Sequence, residues 1–147
     1  MRALGPPFEP SETFALIANA RAMVNVVPFR HQGRSLRGVD CAGMVALSLA
    51  QMGKPFIDLD AYGREPLNGR RREVIVANLG EPLPKEEMRA GDVAHVRFQG
   101  EPRHVALITD YPLGGFAMIH SYSQVQKVVE HRIDAEWYGN IVEVFRP

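Results

Sequence analysis

The chain has one cysteine and five histidines. The cysteine stands in "GVDCAGMVALSLAQMG", residues 38 to 53, between Asp40 and Ala42 at the start of an apolar run. A thiol becomes a nucleophile when its thiolate is stabilised, and the first turn of a helix does this with unpaired N–H groups and the positive end of its dipole. Cys41 holds that place if the apolar run is a helix. Taken alone, the position fits core packing as well, because free cysteine is among the most buried residue types. A base within reach decides between the two.

Histidine is the candidate base, and His104 and His120 lie in neighbouring segments, "RHVALITD" and "MIHSYS". If residues 104 to 110 and 115 to 121 form a hairpin around "YPLGG", an odd-length loop pairs even-numbered residues with even-numbered ones. Both side chains then leave the same face, about 5 Å apart if directly opposite and further if one diagonal step removed. One ring can take the thiol proton while the other fixes its tautomer and orientation, the division of labour of a nucleophile, base and orienter. An even-length loop would put the rings on opposite faces. The same three residues, Cys41, His104 and His120, could instead ligate zinc, but they lack the close pairs typical of metal motifs. The thiol reading requires no metal and no other cofactor.

The remaining histidines read differently. His95 alternates with Val93 and Arg97, opposite the apolar Ala94, Val96 and Phe98, and is expected to face solvent. His131, beside Glu130 and Arg132 at a strand end, is expected to be structural.

The elements that must position these groups follow from the spacing. Ser11 is a plausible N-cap for a helix over about residues 12 to 25, ended by Pro28. "FRHQGRSLRG" is polar and glycine-punctuated, hence a loop, and "DCAGMVALSLAQM" gives a second helix with Gly53 as its C′ residue. That helix is apolar nearly all round, which places it inside the domain. Residues 54 to 69 look irregular, and "GRRREVIVANLG" predicts a third helix ended by Gly80. Then come "DVAHVRF", "HVALITD", "FAMIHSY", "KVVEHRI" and "NIVEVFR", short, β-branched or alternating segments that predict an antiparallel sheet. Helices first and strands after indicate an α+β domain with the second helix lying across the sheet.

At 147 residues the chain fits one domain, residues 1–147, able to bury about two-thirds of its unfolded surface. Its 17 basic and 17 acidic residues balance, which offers no general attraction to nucleic acid or to an anionic membrane. The run Arg70-Arg71-Arg72 reads as a solvated helix face. A single cysteine excludes an intramolecular disulfide. No apolar stretch has the form of a signal peptide or the length of a membrane span, so the expected place of synthesis is the cytoplasm.

The stretches "PFRHQGRSLRGVDCAGMV", "RAGDVAHVRF", "HVALITD" and "MIHSYSQVQKVVEHRI" resemble, in order and spacing, the NlpC-type papain-like cell-wall peptidases. The likeness covers about residues 14 to 147. It is greatest to small members encoded in phage tail operons and gene transfer agents, where a "YRHQG"-like loop precedes the cysteine and an "FRP"-like strand ends the chain. The resemblance implies a papain-like fold with Cys41 as nucleophile, His104 as base and acid, and His120 as orienter. It also implies hydrolysis of peptidoglycan stem peptides, commonly between D-glutamate and diaminopimelate, with Asp40 meeting a free amino group of the substrate. Asp40 also fits an N-cap of the second helix, and it could do both.

The sequence departs from the family twice. Phe29 stands where a tyrosine usually supplies a hydroxyl near the oxyanion site, and Ala42 stands where a serine usually follows the cysteine. His31 or Gln32 of the same loop is then a candidate oxyanion donor beside the Cys41 N–H; both also read as residues that fix the turn. The alternative of another class is a tail-tip or wall-binding module that keeps the fold without cleavage. A third use of the triad is acyl transfer to an acceptor other than water. A phage-like particle or cell lysis would bring the protein to the wall.

Overall fold

The computed structural model describes residues 2–54, 56–58, 70–98 and 101–147. Most of the stretch expected to be irregular, residues 54 to 69, lies outside the described residues. Helices α1 (Pro10–Arg21), α2 (Cys41–Ala50) and α3 (Arg70–Leu79) precede the main sheet, with a two-residue hairpin of β1 (Arg34–Ser35) and β2 (Gly38–Val39) between the first two. The sheet comprises β3 (Val93–Phe98), β4 (Glu101–Asp110), β5 (Phe116–Tyr122), β6 (Lys127–Arg132) and β7 (Ile141–Phe145), in the order β6-β5-β4-β3-β7. Every neighbouring pair is antiparallel. This is the α+β architecture expected from helices followed by alternating strands.

Helix α1 starts earlier than Ser11 indicates. Glu9 is the N-cap and forms a capping box with Glu12, and Pro10 occupies the first turn, where its fixed φ suits the helix and its missing N–H costs nothing. The helix also ends at Arg21 rather than near residue 25. Asn25 takes a left-handed φ of 62° and its N–H bonds Val128 O at 2.9 Å, so the chain leaves the helix to run along β6. Arg21 reinforces that junction with two bonds to Glu130, at 3.0 and 2.8 Å. A fourth helix, α4 (Ala135–Asn140), was not foreseen: it is one and a half turns long, capped by Asp134, which accepts from Trp137 N–H at 2.8 Å.

Register decides which side chains share a layer. Leu107 pairs with Ile119 and Ile108 with Met118, while Val93 pairs with Leu107 and Ala94 with Ala106. One face, with Val93, Val105, Leu107, Ile119 and Phe145, packs against the buried sides of α1, α2 and α3. The other, with Ala94, Val96, Ala106, Ile108, Met118 and Val144, is covered by Trp137 and Tyr138 of α4 and by Leu83 and Met88. Both faces are therefore closed, which corrects the expectation for His95. His95 is only 6% exposed and its Nδ1 lies 2.9 Å from Glu143 Oε2. Alternation along β3 located its face correctly, but α3 covers that face, and Arg72 from α3 adds two bonds to the same Glu143, at 2.7 and 3.1 Å.

Helix α2 is the interior helix, with Cys41, Gly43, Met44, Val45, Ala46, Ser48 and Leu49 buried. Gly53 ends it at φ 74°, its N–H on Ala50 O at 2.9 Å and that of Lys54 on Leu49 O at 3.1 Å, a left-handed C′ closure as the sequence indicates. At the other end the loop before α2 lies so close that a Cβ on Gly43 would collide with the carbonyl oxygen of Gly33. Glycine there permits the backbone approach. Gly43→Ala should lower stability by about 1–3 kcal/mol through overpacking, outweighing the roughly 1 kcal/mol that alanine gains in a helix. Urea unfolding measures this, and an unchanged or raised midpoint would show that the loop yields freely.

Candidate active site

The start of α2 is built by one carboxylate. Asp40 caps the helix through Oδ1, which accepts from Gly43 N–H at 2.8 Å and from Arg34 Nη1 at 2.8 Å. Its Oδ2 accepts from the Gln32 N–H at 3.1 Å. A carboxylate at a helix N-terminus is stabilised by the dipole. Arg34 extends the arrangement to Asp58, with bonds of 2.5 and 3.2 Å. The N-cap expected of Asp40 is present, and burial to 4% exposure makes its hydrogen bonds strong determinants of the loop from Gln32 to Arg34.

Cys41 is the first residue of α2 and is buried at 6% exposure. Two residues before it, Val39 pairs with Phe29 and its carbonyl accepts from Ser121 Oγ at 2.6 Å. Ser121 follows His120 directly on β5. The bond therefore holds the entrance to α2 at the end of the sheet where β5 finishes, and α2 packs across β4 and β5.

The two histidines expected to share a face do so. The loop between β4 and β5 spans residues 111 to 115, an odd length, and the pairing joins even-numbered residues to even-numbered ones. His104 and His120 are one diagonal step apart. Their rings meet edge to face with centroids 4.8 Å apart, and His104 Nε2 and His120 Nδ1 share a hydrogen bond of 2.6 Å. His120 is fully buried, stacked on Tyr122 at 5.1 Å and flanked by Trp137 at 5.4 Å. Loss of solvent, with His104 and His131 beside it, drives its pKa down to about 2. This ring is therefore neutral at neutral pH.

His131, expected to be structural, joins the same group of rings. It lies on β6, where Met118 pairs with His131 and His120 with Val129, so His131 is diagonal to His120 on the same face. His120 Nε2 and His131 Nε2 are 2.9 Å apart, and His131 Nδ1 donates to Arg132 O at 2.9 Å. The four-residue loop between β5 and β6 pairs even-numbered with odd-numbered residues, so strand parity alone signals that His131 shares the face of His120.

The other expected site residues frame the entrance to α2. Phe29 is half-buried, with its N–H on Gln126 O at 2.9 Å. His31 and Gln32 form the turn before β1, and Gln32 takes φ 59° as its N–H reaches Asp40. Its backbone thus holds the turn. Ala42 lines a small apolar pocket with Val45, Val93 and Val105, where a methyl group is well matched.

A model of the NlpC/P60 family matches residues 26–146. No curated protein sequence matches the chain significantly. Among solved structures, the P60 domain of the antigen MAP1204 of Mycobacterium avium subspecies paratuberculosis is similar with a TM-score of 0.64 at 19% identity, over 92% of this chain and 94% of that one. The peptidoglycan hydrolase RipB of Mycobacterium tuberculosis gives 0.66 at 19% identity over 97% and 72%. The NlpC/p60 domain of the peptidoglycan hydrolase SagA gives 0.64 at 19% identity over 92% and 98%. These likenesses show a shared papain-like fold.

Neutral burial of His120 has a consequence for stability. The unfolded chain binds a proton on this residue below about pH 6.5, whereas the folded chain refuses it down to about pH 2. The contribution is complete above pH 6.5 and is lost as pH falls, by about 2 kcal/mol at pH 5. Urea unfolding at pH 7 and pH 5 should show this difference in the wild type and lose it in His120→Gln, and an equal acid sensitivity in both would contradict it.

Proposed function

The chain belongs to the NlpC/P60 family, and from that premise we propose that it is a cysteine peptidase that hydrolyses peptidoglycan stem peptides with Cys41, His104 and His120. The observation that carries the proposal is the 2.6 Å bond between His104 and His120, at the end of the sheet to which Ser121 fastens the approach to Cys41. A buried pair of imidazoles so placed has no evident packing advantage over apolar residues. The use proposed for it is activation of the Cys41 thiol at the start of α2.

In the proposed reaction, His104 takes the Cys41 proton and the thiolate attacks the scissile carbonyl carbon. The resulting oxyanion is met by the N–H of Cys41 at the helix start, where the helix dipole favours negative charge. Collapse expels the amine, which receives the proton from His104, and leaves an acyl-enzyme. Water, deprotonated by the same imidazole, then releases the acid and restores the thiol. His120 remains neutral throughout and holds the ring of His104.

The bond proposed to be cut is that between D-glutamate and diaminopimelate. Asp40 is the carboxylate proposed to meet the substrate's free amino group, at the start of α2 where it also engages Arg34. His31, Gln32 and Phe29, in the loop before α2, are proposed to meet the substrate on the same side. The "RHQG" loop and the terminal "FRP" extend the proposal to delivery by a phage-like tail, although Phe145 is fully buried and Arg146 binds Asp92 at 2.9 Å, so both also serve the core.

Mass spectrometry of purified peptidoglycan after incubation tests the activity. Wild type should release stem-peptide fragments, and Cys41→Ala should lower that release at least about 1,000-fold, as expected for loss of a nucleophile. Binding of the wall without any release by the wild type would favour a binding module, and equal release by both proteins would end the proposal.

A further inference from the structure

We infer that His131 is a positioning residue that sets the proton order of a three-histidine relay ending at His104. The inference rests on the proposed roles of Cys41 and His104, and it adds a member beyond them.

The far end of the relay fixes the first proton. A carbonyl oxygen only accepts hydrogen bonds, so the 2.9 Å contact with Arg132 O requires the proton of His131 on Nδ1. In the neutral ring Nε2 is then an acceptor. It faces His120 Nε2 at 2.9 Å, which must therefore donate. Burial keeps His120 uncharged, so its Nδ1 carries the lone pair and accepts from His104 Nε2 at 2.6 Å. Neutral His104 consequently has its lone pair on Nδ1.

This order suits both charge states of the base. When Sγ–H of Cys41 gives its proton to His104 Nδ1, the sulfur keeps the electron pair and His104 becomes an imidazolium. The Nε2–H continues to donate to His120, and no other proton in the relay moves. The reverse order satisfies the two ring-to-ring bonds equally well, with His120 donating from Nδ1 to His104 Nε2. It would place the proton of neutral His104 on Nδ1 and leave no base for the thiol. Nothing within the two inner rings chooses between the orders. The choice is made where His131, held at 4.9 Å against Trp137, is anchored by the Arg132 carbonyl.

Ring nitrogen NMR of the full-length protein, with no substrate present, reads the order directly. Wild type should carry protons on His104 Nε2, His120 Nε2 and His131 Nδ1. In His131→Ala the inner rings should become a mixture of both tautomers. Turnover of stem peptides should fall about tenfold in kcat with KM unchanged, short of the roughly 10⁴-fold cost of a wholly wrong tautomer in a serine triad. His131→Gln, whose amide oxygen can accept from His120, should restore both readouts. Protons found in the reverse order in wild type, or inner rings unaltered in His131→Ala, would overturn the inference. Should His131→Ala not fold, the wild-type assignment and His131→Gln still decide. A wild type that cuts no peptidoglycan would defeat the proposed activity and leave the NMR result to judge the relay separately.

Discussion

Alternation of side chains across an antiparallel sheet is the constraint on which this site depends. The loop of residues 111 to 115 fixes the pairing of β4 with β5, and that pairing puts His104 and His120 on one face. A loop shorter by one residue would exchange the faces of one strand relative to the other. The 2.6 Å bond could not then form. The same rule, continued through the next hairpin, brings His131 to the group, so two turns determine the geometry of three rings.

Polar groups in this position need compensation. His120 has no exposed surface, and an unsatisfied buried imidazole would cost on the order of 1–3 kcal/mol. Its two nitrogens instead bond to His104 and His131, while Tyr122 and Trp137 fill the space around its ring. The short α4 contributes to the site in this way, although none of its residues reacts. At the start of α2, Asp40 plays a matching part: a single buried carboxylate caps the helix, holds the turn at Gln32 and fixes Arg34. Each side has its own internal hydrogen-bond network, and Ser121 fastens β5 to Val39 at the approach to α2.

Much of this was legible in the sequence, because the signals were local and redundant. The five main-sheet strands fall within a residue or a few of their expected bounds, since β-branched alternation was interrupted by glycine, proline and aspartate. Gly53 and Gly80 closed their helices at positive φ, and Asp40 and Cys41 took the places that an N-cap followed by an apolar run implies. What was not legible came from tertiary coverage. His95 obeys strand alternation, but only the arrival of α3 with Arg72 buries it. His131 read as structural beside Glu130 and Arg132, whereas its ring joins His120 on the face that α4 covers. Helix α4 itself is too short to carry a periodic signal, and its Asp134 cap was the sole local cue. Glu9 and Pro10 displaced the start expected at Ser11 because a capping box with Glu12 is stronger than a lone serine.

The central claim is that the thiol of Cys41 is activated by the imidazole of His104. Its most direct test is the rate at which iodoacetamide alkylates the single cysteine at pH 7 in wild type and in His104→Ala, since no substrate is involved and no other thiol competes. The account predicts that the rate falls at least about tenfold when the imidazole is removed. Equal rates in the two folded proteins would contradict it, and would return Cys41 to the role of a packed core residue.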